Sequence, residues 1–494
     1  MRNLLILIGD IKVSSVKLIT NNAICNLTRL NRNPMKNYLL RLILIITAGV
    51  ILSACGGGGD SSPTFTVGGT ISGLTSGSLV LKNNGTETLT LSTNSTKFTF
   101  PAALANGAAY AVTVATQPSG LVCSVSNGSG TINGTNITNV SVSCAPHFAY
   151  ALNYGDGVTN GNLSMYAINP VTGILESLST PTIATGIGPQ SLAINPAGTF
   201  AYVVNTGADS TTNGNVSMYS INSSTGALTP LATPTVAAGV QPQVIAINPA
   251  GTFAYVTNSG GASPGSISIY SINSITGVLT PLGSMPAEVS TSYITINPAG
   301  TFAYAVNFSG FYSISTYSVN PSTGALTNLN SDIALPGVAP QDPLSELTIN
   351  PTGRFAYITN YAPNKNTLFI YSINPTTGIL ESLSTPSLSL STPTRVTINP
   401  AGTFAYIVNN GSSSISMYSI NATSGALTPI GSVSAGNGAQ YLTINPSGTF
   451  AYVTNGGDNN ISMYSIDKST GILKPLSPAT APTGVSPSFI AITP

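Results

Sequence analysis

From residue 147 onward, the chain alternates short apolar runs with turns that are rich in Asn, Pro, Gly and Thr. The most regular unit reads Ile-Asn-Pro-Ala-Gly-Thr-Phe-Ala-Tyr, followed by Val-Thr-Asn or a close variant. Large Phe and Tyr alternate there with small Ala, which is the two-residue period of a β-strand. The Tyr of Phe-Ala-Tyr recurs every 46 to 53 residues, at Tyr150, Tyr202, Tyr255, Tyr304, Tyr357, Tyr406 and Tyr452. A period of roughly 40–50 residues with several strands in each unit predicts a β-propeller blade.

Each unit supplies four predicted strands, as the second unit illustrates. Its strands are predicted at residues 190–195, 200–205, 216–221 and 227–231. Asn-Pro-Ala-Gly joins the first two strands, and a turn closed by Gly226 joins the last two. Such turns suit Pro, which fixes φ, and Gly, which tolerates a positive φ. Seven units predict an all-β, seven-bladed β-propeller over residues 146–494.

The two ends of the repeat array complement each other. The first unit begins with its second strand at Phe148, and the chain ends with a first strand at residues 488–494 that has no second strand after it. We therefore expect the C-terminal strand to become the innermost strand of the first blade. Such closure removes the open sheet edges that promote aggregation.

Residues 65–145 form a separate small β domain by their pattern of short strands and turns. Asn84-Gly85 and Asn106-Gly107 are typical of tight hairpins. The run from Thr113 to Cys144 resembles small sandwich modules of bacterial surface lipoproteins, which implies an immunoglobulin-like β-sandwich for this domain. Cys123 and Cys144 are predicted to form a disulfide, because two thiols without a nearby His are too few ligands for a metal site.

An export signal precedes this domain. A basic start at Met35 is followed by an apolar run at residues 42–52 and then by Leu-Ser-Ala-Cys55. The ending resembles the lipobox of bacterial lipoproteins, which implies that Cys55 is lipid-modified and becomes the first mature residue. Residues 1–54 are then the signal region, with Met35 as the expected true start, and residues 55–64 form a flexible tether. The alternative is a transmembrane anchor, for which the apolar run is short.

Charge limits the partners of the exported part. Charged residues make up only 5% of the chain, and seven of the 14 basic residues lie within the first 41 positions. From residue 55 onward, 7 basic residues stand against 12 acidic ones, a net charge of −5. This balance excludes the basic surface that nucleic acid binding needs. The predicted location is the cell envelope, periplasmic or at the cell surface, held to the membrane by the lipid.

The repeats also carry a family resemblance. Residues 255–258 and 452–455 both read Tyr-Val-Thr-Asn, the motif of the YVTN-type propellers. The repeats resemble the wider family of lactonase-like propellers, which includes bacterial phosphogluconolactonase. The resemblance covers residues 147–494 and implies a lactone-hydrolysing site. In the enzymatic relatives, Arg and His of the innermost strands line that site, together with a Glu that follows the Val-Asn of the second strand.

This sequence departs from the enzymatic pattern. The segment that corresponds to Pro-Arg-His reads Pro189-Gln190-Ser191, and the only His, His147, falls at the turn before a second strand. We expect His147 to be a surface residue at the start of that strand. No Glu follows the second-strand Asn, where the residues are Tyr154, Thr206, Ser259, Phe308, Tyr361, Asn410 and Gly456.

One charged cluster is predicted inside the central channel, which the innermost strands line. Four residues before each Asn-Pro, the seven units carry equivalent positions: Ser191, Val244, Tyr293, Glu346, Arg395, Tyr441 and Phe489. Glu346 and Arg395 should meet on neighbouring blades, flanked by Tyr293 and Tyr441, with Asp342 just upstream as a second carboxylate. Such a group could bind a polar ligand or orient water for catalysis. The alternative is a structural salt bridge that plugs the channel.

Two loops offer a weaker signal for a cofactor. Residues 154–162 and 206–215 are rich in Asp, Asn and Gly, whose oxygen ligands suit calcium. No EF-hand spacing is present, so the sequence favours ordinary polar turns and predicts no cofactor.

Two classes of function remain. The first is an exported binding module, a propeller on a sandwich stalk, with a protein, a glycan or a small molecule as its ligand. The second is a lactonase-like hydrolase that acts on a sugar lactone in the central channel through Glu346, Arg395 and Asp342. Because the Arg, His and Glu of the enzymatic relatives are replaced at the matching positions, the sequence favours the binding module over the enzyme.

Overall fold

The computed structural model describes residues 63–494, apart from residues 76, 119–120, 210, 261–263, 288–289, 309–311, 330–332, 335–343, 361–366 and 384–387, together with the backbone of two strands near the N-terminus. The chain divides into two units, Met1–Thr64 and Phe65–Pro494. In the first unit, β1 (Ser15–Thr20) pairs antiparallel with β2 (Ala23–Thr28). Cys55 and the predicted tether up to residue 62 lie outside the described residues, whereas Thr64, the last residue assigned to the tether, begins a strand.

The second unit begins with a two-layer β domain. Its strands are β3 (Thr64–Phe65), β4 (Val67–Ser72), β5 (Leu79–Asn83), β6 (Glu87–Leu91), β7 (Lys97–Thr99), β8 (Leu104–Ala105), β9 (Ala109–Thr116), β10 (Val122–Ser126), β11 (Ser129–Thr131) and β12 (Ile137–Ala145). One sheet has the order β10-β12-β4-β7 and the other β11-β9-β5-β6. Alternate residues of both sheets share one hydrophobic core, and Cys123 forms a disulfide with Cys144 directly opposite on β12. An immunoglobulin-like topology for this domain stays a prediction.

The remaining strands build seven further sheets. The first contains β13 (Phe148–Asn153), β14 (Asn160–Ile168) and β15 (Leu175–Ile187); the second contains β16 (Pro189–Ile194), β17 (Phe200–Asn205), β18 (Asn213–Ile221) and β19 (Leu228–Val240). The third contains β20 (Pro242–Ile247), β21 (Phe253–Asn258), β22 (Ser266–Ile272) and β23 (Leu279–Pro286). The fourth contains β24 (Tyr293–Ile296), β25 (Phe302–Phe308), β26 (Tyr312–Val319), β27 (Leu326–Asn328) and β28 (Ile333–Ala334).

The fifth sheet contains β29 (Leu344–Ile349), β30 (Phe355–Asn360), β31 (Thr367–Ile373), β32 (Leu380–Ser382) and β33 (Leu388–Ser389). The sixth contains β34 (Pro393–Ile398), β35 (Phe404–Asn409), β36 (Ser414–Ile420) and β37 (Leu427–Ser434), and the seventh contains β38 (Ala439–Ile444), β39 (Phe450–Asn455), β40 (Asn460–Ile466) and β41 (Leu473–Pro482). The last strand, β42 (Pro487–Ile492), joins the first sheet. A 3₁₀ turn lies at Asn410–Ser412, and the described part of the chain holds no helix long and apolar enough to cross a bilayer.

The innermost strands of the seven sheets form a closed ring. In order, β42, β16, β20, β24, β29, β34 and β38 each contact the next, and β38 contacts β42 again. The predicted all-β, seven-bladed propeller is therefore confirmed.

The first blade is closed by the two ends of the repeat array. Strand β42 pairs antiparallel with β13, from Ala149 opposite Ile492 to Leu152 opposite Phe489. The Phe148 amide donates to the Thr493 hydroxyl at 2.9 Å, whereas the Phe200 amide of the second blade donates to the Asn195 side chain at the same length. Thr493 therefore replaces the turn asparagine that the other blades use.

The expectation that His147 is a surface residue is wrong. Its side chain is only 7% exposed, and its Nδ1 lies 3.5 Å from the Thr493 hydroxyl. The other blades carry Thr or Arg at this position, whereas here the larger imidazole is enclosed where the C-terminal strand docks. Burial lowers the pKa of His147, because desolvation penalises its charged form, although a hydrogen bond with Thr493 opposes the shift.

The outer strand of the second blade is longer than predicted. In the second blade the fourth strand was predicted at residues 227–231, but β19 continues to Val240. The pairing register shifts between Ser217 and Tyr219, so that a bulge interrupts the alternation before pairing resumes. The alternation of side chains is lost at this bulge, so the sequence pattern did not predict the second half of the strand.

A repeated tyrosine contact joins each blade to the next. The second-strand Tyr donates its hydroxyl to the carbonyl of the glycine that ends the outer turn of the following blade, at 2.7–2.9 Å: Tyr150 to Gly226, Tyr202 to Gly277, Tyr255 to Gly324, Tyr304 to Gly378, Tyr357 to Gly425, Tyr406 to Gly471 and Tyr452 to Gly173. The last bond returns to the first blade. These glycines have φ near +70°, and a Cβ on Gly226 would lie 2.2 Å from the Phe148 ring, so glycine is required there.

Asparagine at the end of the second strand adds a further contact between blades in several units. The amide nitrogen of Asn205 donates to the Ser217 hydroxyl at 2.9 Å, within its own blade. Its carbonyl oxygen accepts from the amide of Gly186, which belongs to the outer strand of the preceding blade. Asn258 and Asn455 accept from Gly239 and Gly436 in the same way. The Asn of the repeat is thus buried and structural.

We expect deletion of residues 487–494 to destabilise the whole propeller. The deletion leaves β13 with an unpaired inner edge and removes Ile490, which is fully buried. The loss of stability should exceed the ~2–5 kcal/mol that a single buried Ile costs when it is truncated to Ala. Thermal unfolding measures the effect, with Ser488→Ala in the same strand as the control. An unchanged melting temperature in the deletion variant would show that the ring does not depend on β42.

Candidate functional site

The structure brings Glu346 and Arg395 together across two neighbouring inner strands. Glu346 lies on β29 and Arg395 on β34, at equivalent positions of adjacent blades, and their side chains form an ion pair. Arg395 is 6% exposed, whereas Glu346 keeps more contact with solvent. Asp342, the third predicted member of the cluster, lies outside the described residues.

Aromatic rings enclose the guanidinium group of Arg395. Its Cζ lies 3.6 Å from the ring centroid of Tyr441, 5.2 Å from that of Phe489 and 5.9 Å from that of Tyr293. The Tyr441 and Phe489 rings are themselves 3.8 Å apart. A cation held against an aromatic face in a desolvated site gains more than at a wet surface. Arg395 therefore reaches residues of four other inner strands and occupies the middle of the channel.

Phe489 belongs to this site although sequence reasoning assigned it no role. It occupies the equivalent position on β42, so the closing strand of the first blade also supplies one wall of the arginine site. The sequence alignment of the inner strands could have indicated this contact, because Phe489 occupies the position on β42 that is equivalent to Arg395 on β34.

Burial controls the charge of the surrounding groups. Burial lowers the pKa of Arg395, while Tyr441 and Tyr293 oppose that shift. Burial raises the pKa of Tyr293 to about 12 and raises the pKa of Tyr441, and in both cases the nearby Arg395 opposes the shift. Both phenols are therefore neutral at physiological pH and present hydroxyl groups to the site.

One nitrogen of Arg395 is buried without a hydrogen-bond partner. Nη2 pairs with Glu346, whereas Nη1 finds no acceptor among the residues that the structure describes. An unpaired donor of this kind costs free energy unless a ligand satisfies it. The Nη1 group thus keeps donor capacity that none of the described residues uses.

A cavity of about 280 Å³ lies beside this pair. It is lined by residues of β24, β29, β34 and β38, from the level of Arg395 to Pro351 at the turn after β29. This volume is slightly below the ~300–1,000 Å³ range of drug-sized pockets, which suits a ligand the size of a monosaccharide.

The two loops considered for calcium use their carboxylates internally. Asp156 accepts from the amides of Thr159 and Val158, and Asp209 accepts from the amides of Thr211 and Thr212. These bonds stabilise the charged carboxylate, so they lower the pKa of Asp156 and lower that of Asp209 to about 2, with the Thr211 amide as the main cause. Within the described residues, no three His, Cys, Asp or Glu side chains cluster as metal ligands.

Comparison with known proteins finds a family and several solved structures that are similar to this chain. The family described as "Lactonase, 7-bladed beta-propeller" matches residues 121–235, 206–311, 311–442 and 406–490. A proposed 6-phosphogluconolactonase of Bacteroides uniformis is 21% identical with a TM-score of 0.60, covering 70% of this chain and 99% of its own. The periplasmic gluconolactonase of Pseudomonas aeruginosa is 17% identical with a TM-score of 0.57, covering 70% and 99%. No curated protein matches the chain.

We expect the buried ion pair to behave as a unit in unfolding experiments. Glu346→Leu alone leaves the Arg395 charge buried without its counter-charge and should cost ~3–5 kcal/mol. The double variant Glu346→Leu, Arg395→Met should cost less than the single variant, because it removes both charges. Urea unfolding of the wild type, both single variants and the double variant measures the coupling. Costs that simply add would mean that the two side chains do not interact.

Proposed function

The chain belongs to the lactonase family of seven-bladed β-propellers, and from this premise we propose that its propeller hydrolyses a small sugar lactone in the cavity beside Arg395. The observation that carries the proposal is the buried Nη1 of Arg395, which has no hydrogen-bond partner among the described residues, next to the Glu346 carboxylate; both side chains line the 280 Å³ cavity. The sequence alone favoured a binding module. We now favour the hydrolase, because a guanidinium nitrogen without a partner in the described part of the chain lies beside a carboxylate in the channel.

Arg395 would supply the electrostatic part of the reaction. Its Nη1 donates to the lactone carbonyl oxygen, and the positive charge stabilises the oxyanion that develops when water adds to the carbonyl carbon. Because the guanidinium is buried among aromatic rings, the low local dielectric strengthens this interaction. The ion pair and the Tyr441 ring hold the group in place before the substrate arrives.

Glu346 would act as the general base and then as the general acid. The carboxylate orients a water molecule and accepts its proton as the water oxygen bonds to the carbonyl carbon. When the tetrahedral intermediate collapses, the bond between that carbon and the ring oxygen breaks. The proton returns to the leaving ring oxygen, and the product is the open-chain hydroxy acid. Asp342, which the sequence places four residues before Glu346, is proposed as an additional acidic residue at the site.

A second candidate is an exported module that binds a sugar acid or glycan without turnover. The observation in its favour is that the one histidine of the chain lies at the ring closure, away from the cavity, so that no imidazole is available as a base there. A carboxylate ligand would satisfy Nη1 of Arg395 as well as a lactone carbonyl does.

Hydrolysis of a six-carbon sugar lactone by the purified full-length chain tests the two candidates. We expect turnover above the buffer rate, and its loss to that rate in the double variant Glu346→Gln, Arg395→Met. The matched control is Glu381→Gln, Arg354→Met, which changes an exposed residue of each type. No turnover in a folded wild type, with binding of the sugar acid in calorimetry, would support the binding module and contradict the lactonase.

We also propose that the protein is a lipoprotein of the cell envelope, attached through Cys55. The basic start, the apolar run and the Leu-Ser-Ala-Cys ending support this location. A lipid anchor would hold the two-layer β domain and the propeller near the membrane through the Gly-rich segment that follows Cys55.

The anchoring proposal predicts a change of cell fraction on substitution. Cys55→Ser should move the protein from the membrane fraction to the soluble fraction, because no acyl chains can attach. Cys25→Ser, upstream of the predicted signal, should leave the distribution unchanged. Fractionation followed by immunoblotting measures both, and a Cys55→Ser protein that stays in the membrane fraction would show that another segment anchors the chain.

A further inference from the structure

A second ring of equivalent positions lies two residues further along the inner strands. Four adjacent blades carry Thr there and the other three carry Ala: Thr295, Thr348, Thr397, Thr443, Ala491, Ala193 and Ala246. All seven side chains are partly exposed in an otherwise buried barrel of strands. The channel therefore has one hydroxyl-bearing wall and one apolar wall, although the scaffold repeats seven times.

The four threonine hydroxyls divide into two pairs. Thr348 donates to the Val396 carbonyl of the next blade at 2.8 Å, and Thr397 donates to the Leu442 carbonyl at 2.8 Å. Because the four threonines lie on adjacent blades, they form an arc, with Thr295 and Thr443 at its two ends. The hydroxyls of these two end residues have no hydrogen-bond partner within the described part of the chain. Both line the 280 Å³ cavity that also contains Arg395.

The arc lies at a defined distance from the charged pair. Two residues along a strand correspond to roughly 6–7 Å, so the threonines stand that far from the level of Glu346 and Arg395, toward the turns that follow the inner strands. A six-membered lactone whose carbonyl oxygen meets Arg395 would extend its ring substituents to this level.

We infer that Thr295 and Thr443 determine substrate specificity by binding the hydroxyl groups of the lactone. This inference rests on the proposed function and goes beyond it by naming the residues that select a polyhydroxylated lactone over an alkyl one. A site with free hydroxyls rejects a ligand that leaves them unpaired.

The test compares two lactones of the same ring size. Glucono-1,5-lactone carries hydroxyls, whereas δ-valerolactone carries none. In the full-length double variant Thr295→Val, Thr443→Val, we expect kcat/KM for the sugar lactone to fall by about 10- to 100-fold, because each neutral hydrogen bond is worth up to about tenfold. The value for δ-valerolactone should not fall, because the valine side chains leave no hydroxyl unpaired against it. Equal losses for both lactones, or no loss for either, would overturn the inference.

The control variant is Thr348→Val, Thr397→Val, whose hydroxyls are already bonded to main-chain carbonyls. It should lower the melting temperature and leave the ratio of the two kcat/KM values unchanged. A control that changes this ratio as much as the end pair would contradict the assignment of specificity to Thr295 and Thr443.

Failure of the proposed function can be separated from failure of this inference. If the wild type hydrolyses neither lactone, the hydrolase proposal fails, and calorimetry with gluconate and with 5-hydroxyvalerate tests the arc by itself. Tighter gluconate binding that is lost in Thr295→Val, Thr443→Val would support the arc. Absence of gluconate binding by the wild type, or equal binding of both acids, would overturn it.

Discussion

The cycle of hydrogen bonds from tyrosine hydroxyls to turn glycines is the constraint on which the rest of the structure depends. Each bond fixes one blade against the next, and the seventh, from Tyr452 to Gly173, requires the first and last blades to be neighbours. The Tyr of Phe-Ala-Tyr in one blade and the turn glycine of the next blade therefore repeat together, because they form one contact. Because the phenol is buried, loss of the bond would leave a polar group unpaired in an apolar interface.

This uniform scaffold makes local differences in the channel informative. The residues that join blades repeat almost without change, whereas the inner strands differ strongly from blade to blade at the level of Arg395. A buried arginine is costly to fold, and the aromatic rings and Glu346 offset that cost only in part, since Nη1 stays unpaired among the described residues. A structural plug would need no unpaired donor, and this is the reason for which we propose a ligand-binding role for the site.

The sequence pattern was sufficient for the blades and for the meeting of Glu346 with Arg395, because both follow from strand register. The Phe-Ala-Tyr spacing counts the blades, and equivalent positions on adjacent inner strands are neighbours. The flanking positions of Tyr293 and Tyr441 followed from the same register, whereas the approach of Arg395 to Phe489, two blades away, depends on channel width and side-chain conformation. The burial of His147 and the continuation of β19 were missed for a similar reason. Each arises where the chain departs from the repeat, at the closure or at a bulge.

The pairing of β13 with β42 also sets when folding can finish. The bond between Phe148 and Thr493 joins residues 345 positions apart, so the ring cannot close before nearly the whole chain is present. Such long-range contacts fold slowly, because loop-closure entropy is lost before they form. This order couples completion of the native state to the arrival of β42, so the blades that form first remain part of an open array until that strand docks.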